Sequence, residues 1–332
     1  MKRLMIGLIG IIVVTLFITA CDKNVNGVMT EEVELEQLIN EESSAFEEYL
    51  MDDGIDDGSE NDLFAFGTPV FSGYFSKVLE PINNVVRFGR IITDRYARRV
   101  VFEQTDAHPD TAHLYIERVL KGRFVVMEKF DTNDTTNADT VAIYRKPLTH
   151  VVRRRALFTK RGHDDAPRAR NWRLIAISPG QGNSPHGTIR IVKVTLIQEN
   201  GDSLVFDAPL RPLMAVPVGL PRFQRGETVT VRVLVENTTV NPVQNPRTNS
   251  TEIVMLHYGR RRGEHHRKLF QFLGTDAATG FNIYQGTWQV QERGRRVYHA
   301  IIDVIDSGTI FDSDPEKYPY NSATWSCPYI VR

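Results

Sequence analysis

The chain opens on an apolar run. Leu4 to Ala20 holds no charged residue and lies between Met1-Lys2-Arg3 and Cys21-Asp22-Lys23. A basic start, an apolar stretch and small closing residues predict an export signal over 1–20. A comfortable bilayer-spanning helix needs about 20 apolar residues, and the acidic chain that follows is wrong for a stop-transfer segment. Residues 21–30 read as a short polar tether. Apolar positions then recur at helical spacing, with Leu35, Leu38, Ile39, Phe46, Tyr49 and Leu50 on one face. Glu31, Glu32 and Glu34 crowd the first turn, where the helix dipole favours anions. From Val85 to Ser178 the period shortens. "AHLYIERVL", "RFVVMEKF", "VAIYRKPLTHVVRRRALFTK" and "NWRLIAIS" are rich in β-branched and aromatic residues and partly alternate, which predicts strands. "SPGQGNSPHG", residues 178–187, reads as a linker, because Pro, Gly, Ser and Asn favour turns.

Alternation is clearest beyond the linker. Ile189, Ile191, Val194 and Leu196 lead to Asn200-Gly201, the dipeptide that a tight type I′ hairpin turn prefers. Val229, Val231, Val233 and Val235 share one face, with Thr228, Thr230 and Arg232 opposite. "EIVMLHYG", "RKLFQFL", "FNIYQGTWQV" and "RVYHAIIDVID" follow at the spacing of a β-sandwich. The expected fold is therefore mainly β. An N-terminal α+β domain, a helix plus a curved antiparallel sheet over 31–180, is joined by a linker at 181–187 to a β-sandwich over 188–332.

Three resemblances add to this reading. Ile18-Thr19-Ala20-Cys21 resembles the bacterial lipobox, which implies lipid on the Cys21 sulfur, cleavage just before it and a place in the bacterial cell envelope. Two or three acyl chains anchor stably, at about 0.8 kcal/mol per buried CH2. A helix followed by a curved sheet closing on the Trp172 strand resembles the nuclear transport factor-like cone fold, whose cones often enclose an apolar pocket. "FQRGETVTVRV" with the later "YQGTW" resembles bacterial immunoglobulin-like domains, without the cysteine pair of antibody domains.

Charge is unevenly spread. Residues 22–63 hold 15 acids against one Lys, and residues 64–180 hold 20 Lys and Arg against 12 acids. An acidic leader thus precedes a basic stretch on which it could dock. Nucleic acid, the usual partner of runs such as Arg153-Arg154-Arg155, is excluded by export. The expected partners are the membrane, through the lipid, and an envelope protein or polysaccharide. If Cys21 carries lipid, Cys327 has no disulfide partner and reads as a small buried hydrophobe.

Two clusters are candidates for chemistry. Asp303, Asp306, Asp312 and Asp314 lie close together in sequence and, with backbone carbonyls, could supply the six to eight oxygens of a calcium site. Paired carboxylates could also serve glycoside hydrolysis. Arg260, Arg261, Arg262, His265, His266 and Arg267 read as a basic hairpin loop able to meet a polyanion. Adjacent histidines on a strand point to opposite faces, which argues against one shared metal. No G-x-S-x-G, phosphate loop, Rossmann glycine pattern or paired C-x-x-C occurs. The expectation is a non-catalytic binding or structural module without a cofactor other than calcium. The alternatives are a glycan-processing enzyme and a carrier that uses a pocket in the first domain.

Overall fold

The computed structural model describes residues 81–95, 99–105, 108–130, 140–160, 172–258, 266–291 and 296–332, with a few others between 35 and 75. Cys21 and the segments expected as signal and tether lie outside the described residues. The first half contributes β1 (Phe64–Ala65), β2 (Tyr74–Phe75), β3 (Val85–Arg95), β4 (Arg99–Thr105), β5 (His108–Phe130), β6 (Thr140–Lys160), β7 (Trp172–Ile177) and β8 (Gly180–Asn183). β5 and β6 run 23 and 21 residues and pair antiparallel from Thr111↔Thr159 to Phe130↔Thr140. Strands so much longer than the usual five or six residues accumulate twist, and the sheet curls. Two register shifts between β3 and β5 add bends. Gly122 sits opposite the second, where any Cβ would collide with the Ile91 carbonyl.

The second half contributes β9 (Ile189–Ile197), β10 (Ser203–Phe206), β11 (Met214–Ala215), β12 (Arg222–Phe223), β13 (Thr228–Asn237), β14 (Glu252–Tyr258), β15 (His266–Leu269), β16 (Gln271–Thr275), β17 (Asn282–Gln289) and β18 (Val297–Asp306). A short helix, α1 (Ser307–Phe311), and β19 (Ser322–Val331) complete it. Five strands form a separate sheet in the order β10-β9-β13-β17-β16. It packs on β14, β18 and β19 through Val229, Val231, Val233, Val235, Tyr284 and Trp288 on one side and Val254, Ile302, Val304, Trp325 and Tyr329 on the other. Each such side chain contributes about 1.5–3 kcal/mol on burial.

The larger sheet runs β1-β3-β5-β6-β8-β19-β18-β14-β15. The stretch expected as a linker is structural: β8 pairs with β6 on one edge and with β19 on the other, so one sheet passes through both halves. It curls until β3, β5 and β6 lie over the far face of β14, β18 and β19, with Phe88, Phe124, Leu148 and Val152 against Met255, Ile301 and Ile305. β18 and β19 are therefore covered on both faces. The Asn200-Gly201 hairpin also differs in detail from a two-residue turn. Gly201 alone takes positive φ, at 89°, and its N–H bonds the Gln198 carbonyl, a type I turn closed by a glycine bulge. Of the leader, Leu35, Gln37, Leu38 and Ile39 are helical. Leu35, Leu38 and Ile39 are buried with Phe158, Trp172 and Leu220.

Candidate functional site

The densest chemistry lies where the curled half meets β18 and β19. The inward face of β6 reads Tyr144, Lys146, Leu148, His150, Val152, Arg154, Ala156 and Phe158. Every second inward position from Lys146 to Arg154 is thus a cationic or imidazole side chain, and all three are buried. The face of β19 opposite its apolar one supplies Ser322, Thr324 and Ser326. Strand β8 is thin enough to let these side chains meet. A Cβ on Gly182 would strike Thr324 Oγ1 and His150 Nε2, and one on Gly180 would come within 2.8 Å of Arg154 Nη2.

Arg90, from β3, is the hub. Its guanidinium grips Asp303 with two bonds of 2.6 and 2.7 Å, and it donates to the Tyr320 hydroxyl at 2.7 Å and to Ser322 Oγ at 3.0 Å. His257 Nε2 lies 3.1 Å from the same carboxylate. The Tyr320 hydroxyl also reaches His150 Nδ1 at 3.2 Å, and His150 Nε2 meets Thr324 Oγ1 at 3.0 Å. Further along, Arg154 bonds Ser326 Oγ, which bonds His299 Nδ1, both at 2.9 Å. Lys146 donates to the Gly308 and Tyr318 carbonyls at 2.8 and 2.6 Å.

Burial alone would raise the Asp303 carboxyl, but the Arg90 guanidinium and the His257 hydrogen bond hold it well below the usual carboxylate range. Burial, with Arg90 nearby, pushes the His150 imidazole down to about 3, so it is neutral at ordinary pH. Burial likewise brings the Lys146 ammonium down to about 8, against the pull of Asp312, Asp306 and Asp314. A His–Asp pair with a nearby serine has the parts of a nucleophilic relay, but Arg90, His257 and Asp303 are at most 1% exposed, and Arg90 occupies Ser322. The arrangement fastens the two halves of the chain to each other.

The four aspartates do not converge. Asp303 belongs to this seam. Asp306 caps α1 through Gly308 N at 2.7 Å and takes the Thr239 hydroxyl at 2.8 Å, and burial raises its carboxyl. Asp312 accepts from Asp314 N, and Asp314 from the Glu316 and Lys317 amides, so both order turns. No group of three or more His, Cys, Asp and Glu able to hold a metal occurs among the described residues. In place of a calcium cage, the four carboxylates serve capping and ion pairing. His266 and Arg267 begin β15, while Arg260, Arg261, Arg262 and His265 lie outside the described residues. Cys327 is buried and its thiol is pushed up to about 12 by burial, a packing residue. The sequence reading missed Arg90, Lys146, His150, His257 and Tyr320. The one available signal was the four-residue spacing of Lys146, His150 and Arg154 on an alternating strand.

An accessible feature lies at the opposite end of β13 from α1. The β9–β10 turn, the 221–227 turn and Arg332 enclose an open depression of about 950 Å³. Its turns are locked: Gln198 bonds Glu227 and the Arg222 carbonyl, Glu199 takes the Thr228 amide, and Asn200 bonds Asp202. Ser203, Gln224, Arg225 and Arg332 line it with side chains that make no hydrogen bond or ion pair among the described residues. No family model, no curated protein and no solved structure matches the chain.

Proposed function

We propose that this chain is a protein of the bacterial cell envelope, anchored by lipid on Cys21, whose C-terminal half is an immunoglobulin-like sandwich acting as a non-catalytic binding module. Strand order supports the sandwich. β9, β13, β17 and β16 follow the A-B-E-D order of that fold, and β19, β18, β14 and β15 its G-F-C-C′ order. The observation that carries the binding reading is one of access. The reactive-looking side chains of the seam are sealed between layers, whereas the depression offers open, preordered polar groups at the end of the sandwich. Rigid turns lower the cost of ordering a surface on binding.

A benzoylphenylalanine photoprobe at Ser203, irradiated in cells, is expected to yield one defined adduct with an envelope component. The same probe at Thr230, on the outward face of β13, serves as control. A Ser203 adduct pattern no different from the Thr230 pattern would overturn the binding reading. Cys21→Ser is expected to move the folded protein from the membrane to the soluble fraction at moderate salt. Retention in the membrane pellet would overturn the anchor.

A further inference from the structure

We infer that the depression is a site for a neutral, hydroxyl-rich saccharide. The inference rests on the binding-module reading and names its ligand class. Charge carries the first step. Among the lining side chains, Arg222, Arg225 and Arg332 stand against Glu199, Asp202 and Glu227, so charges of opposite sign are equal in number. A polyanion or polycation would meet as much repulsion as attraction there. Polarity carries the second step. Of the lining residues, Leu204 and Pro221 alone are large and apolar, too little to hold an aliphatic or aromatic ligand.

Geometry carries the third. A sugar's hydroxyls each donate and accept, and adjacent ones match planar amide, carboxylate and guanidinium groups that form two parallel bonds. Gln224 and Arg225, both exposed, supply such groups unspent, and Ser203 adds a hydroxyl. Arg222, another lining residue, has its guanidinium held in place through Nη2, which donates to the Val218 carbonyl at 3.2 Å. Leu204, 36% exposed, gives an apolar rim for the C–H face of a pyranose ring. Asn200, Asp202 and Glu227 are held by their own turns and present their remaining lone pairs without further ordering.

The test uses the full chain with Cys21→Ser, titrated by calorimetry and saturation-transfer NMR with cellotriose, chitotriose, maltotriose and xylotriose, and with trigalacturonate as an acidic comparison. At least one neutral trisaccharide is expected to bind at concentrations up to about 10 mM. The Gln224→Ala, Arg225→Ala double variant, at exposed positions, should weaken that binding by about tenfold or more. Trigalacturonate is expected to bind no tighter than the best neutral sugar. Three results would each overturn the inference: no neutral trisaccharide binds, binding is indifferent to the double variant, or trigalacturonate binds about tenfold tighter. If the Ser203 photoprobe meanwhile gives a defined protein adduct, the binding module stands and the saccharide assignment alone falls.

Discussion

The two faces of β19 hold opposite chemistries. Ala323, Trp325, Cys327 and Tyr329 point to the five-stranded sheet and pack among apolar side chains and rings, such as Phe223 at 5.4 Å from Tyr329. Ser322, Thr324 and Ser326 point the other way and meet Arg90, His150 and Arg154. β18 repeats the division, with Ile302 and Val304 on the apolar side and Asp303 and His299 on the polar. Both faces are equally buried, so burial does not distinguish them. What distinguishes them is what a loss would leave behind. Truncating an apolar side chain leaves a cavity into which neighbours relax in part. Removing one partner of the seam leaves a charge without its counterpart in a medium that solvates it poorly.

Asp303→Ala tests that difference most severely. It strands the Arg90 guanidinium, and the expected loss is about 3–5 kcal/mol in urea unfolding. The contrast sharpens with the double variant Arg90→Met, Asp303→Leu, which removes both charges and should recover most of the loss. An apolar-face change such as Ile302→Val should cost about 0.5–1.5 kcal/mol and need no compensating partner. If Asp303→Ala costs no more than Ile302→Val, the seam is not fastened by its ion pair.

This difference also governed what was legible in the chain. Alternation marked Val229, Val231, Val233 and Val235 as a core face, and they are fully buried. The mainly β character and the curved antiparallel sheet followed from the same signal. The seam was not legible, because a polar residue alternating with an apolar one reads as the wet face of a strand. Arg154 and His150 alternate with Arg153 and Val151, and nothing local says which side a second layer will cover. Asp303 stands out in the sequence through its proximity to Asp306, Asp312 and Asp314, none of which is its partner in the fold. Its partner Arg90 is 213 residues away. Gly180 and Gly182 read in the sequence as part of a turn-rich linker, whereas in the fold they give clearance for side chains from both neighbouring strands.

Clearance gives the next test. Gly182→Ala sets a methyl group against Thr324 Oγ1 and His150 Nε2 and forces one of them off its hydrogen bond. Overpacking of this kind costs about 1–3 kcal/mol. Pairing it with Thr324→Ala should return part of that cost, since the nearest obstacle is then gone. The same substitution at Gly201, where a Cβ meets nothing but φ is 89°, would act through backbone strain and gain nothing from Thr324→Ala. A Gly182→Ala protein as stable as the parent would mean that β8 does not set the spacing of the seam.

The mildest test is acid, and its sign follows from the imidazole in the seam. The unfolded chain protonates His150 near the ordinary value of 6.5, while in the fold it stays neutral down to about 3. Between these values the unfolded state binds more protons, so stability rises with pH and falls as the solution is acidified. The contribution approaches about 1.4 kcal/mol per pH unit once the unfolded imidazole is charged. Asp303, held below the usual carboxylate range, adds a loss in the same direction only further down, below about pH 4. Asp306, whose carboxyl burial raises, is present in parent and variant alike, so across about pH 6 to 4.5 the difference between the two reports His150. Gln at this position keeps a donor and an acceptor for Tyr320 and Thr324 but takes up no proton. His150→Gln should be the less stable protein at pH 7, and its deficit should shrink by about 1 kcal/mol for each unit of acidification across that window. The apolar face offers no such handle, since Ile302→Val should run parallel to the parent at every pH. If His150→Gln also runs parallel, the buried imidazole is not the group that the acid finds.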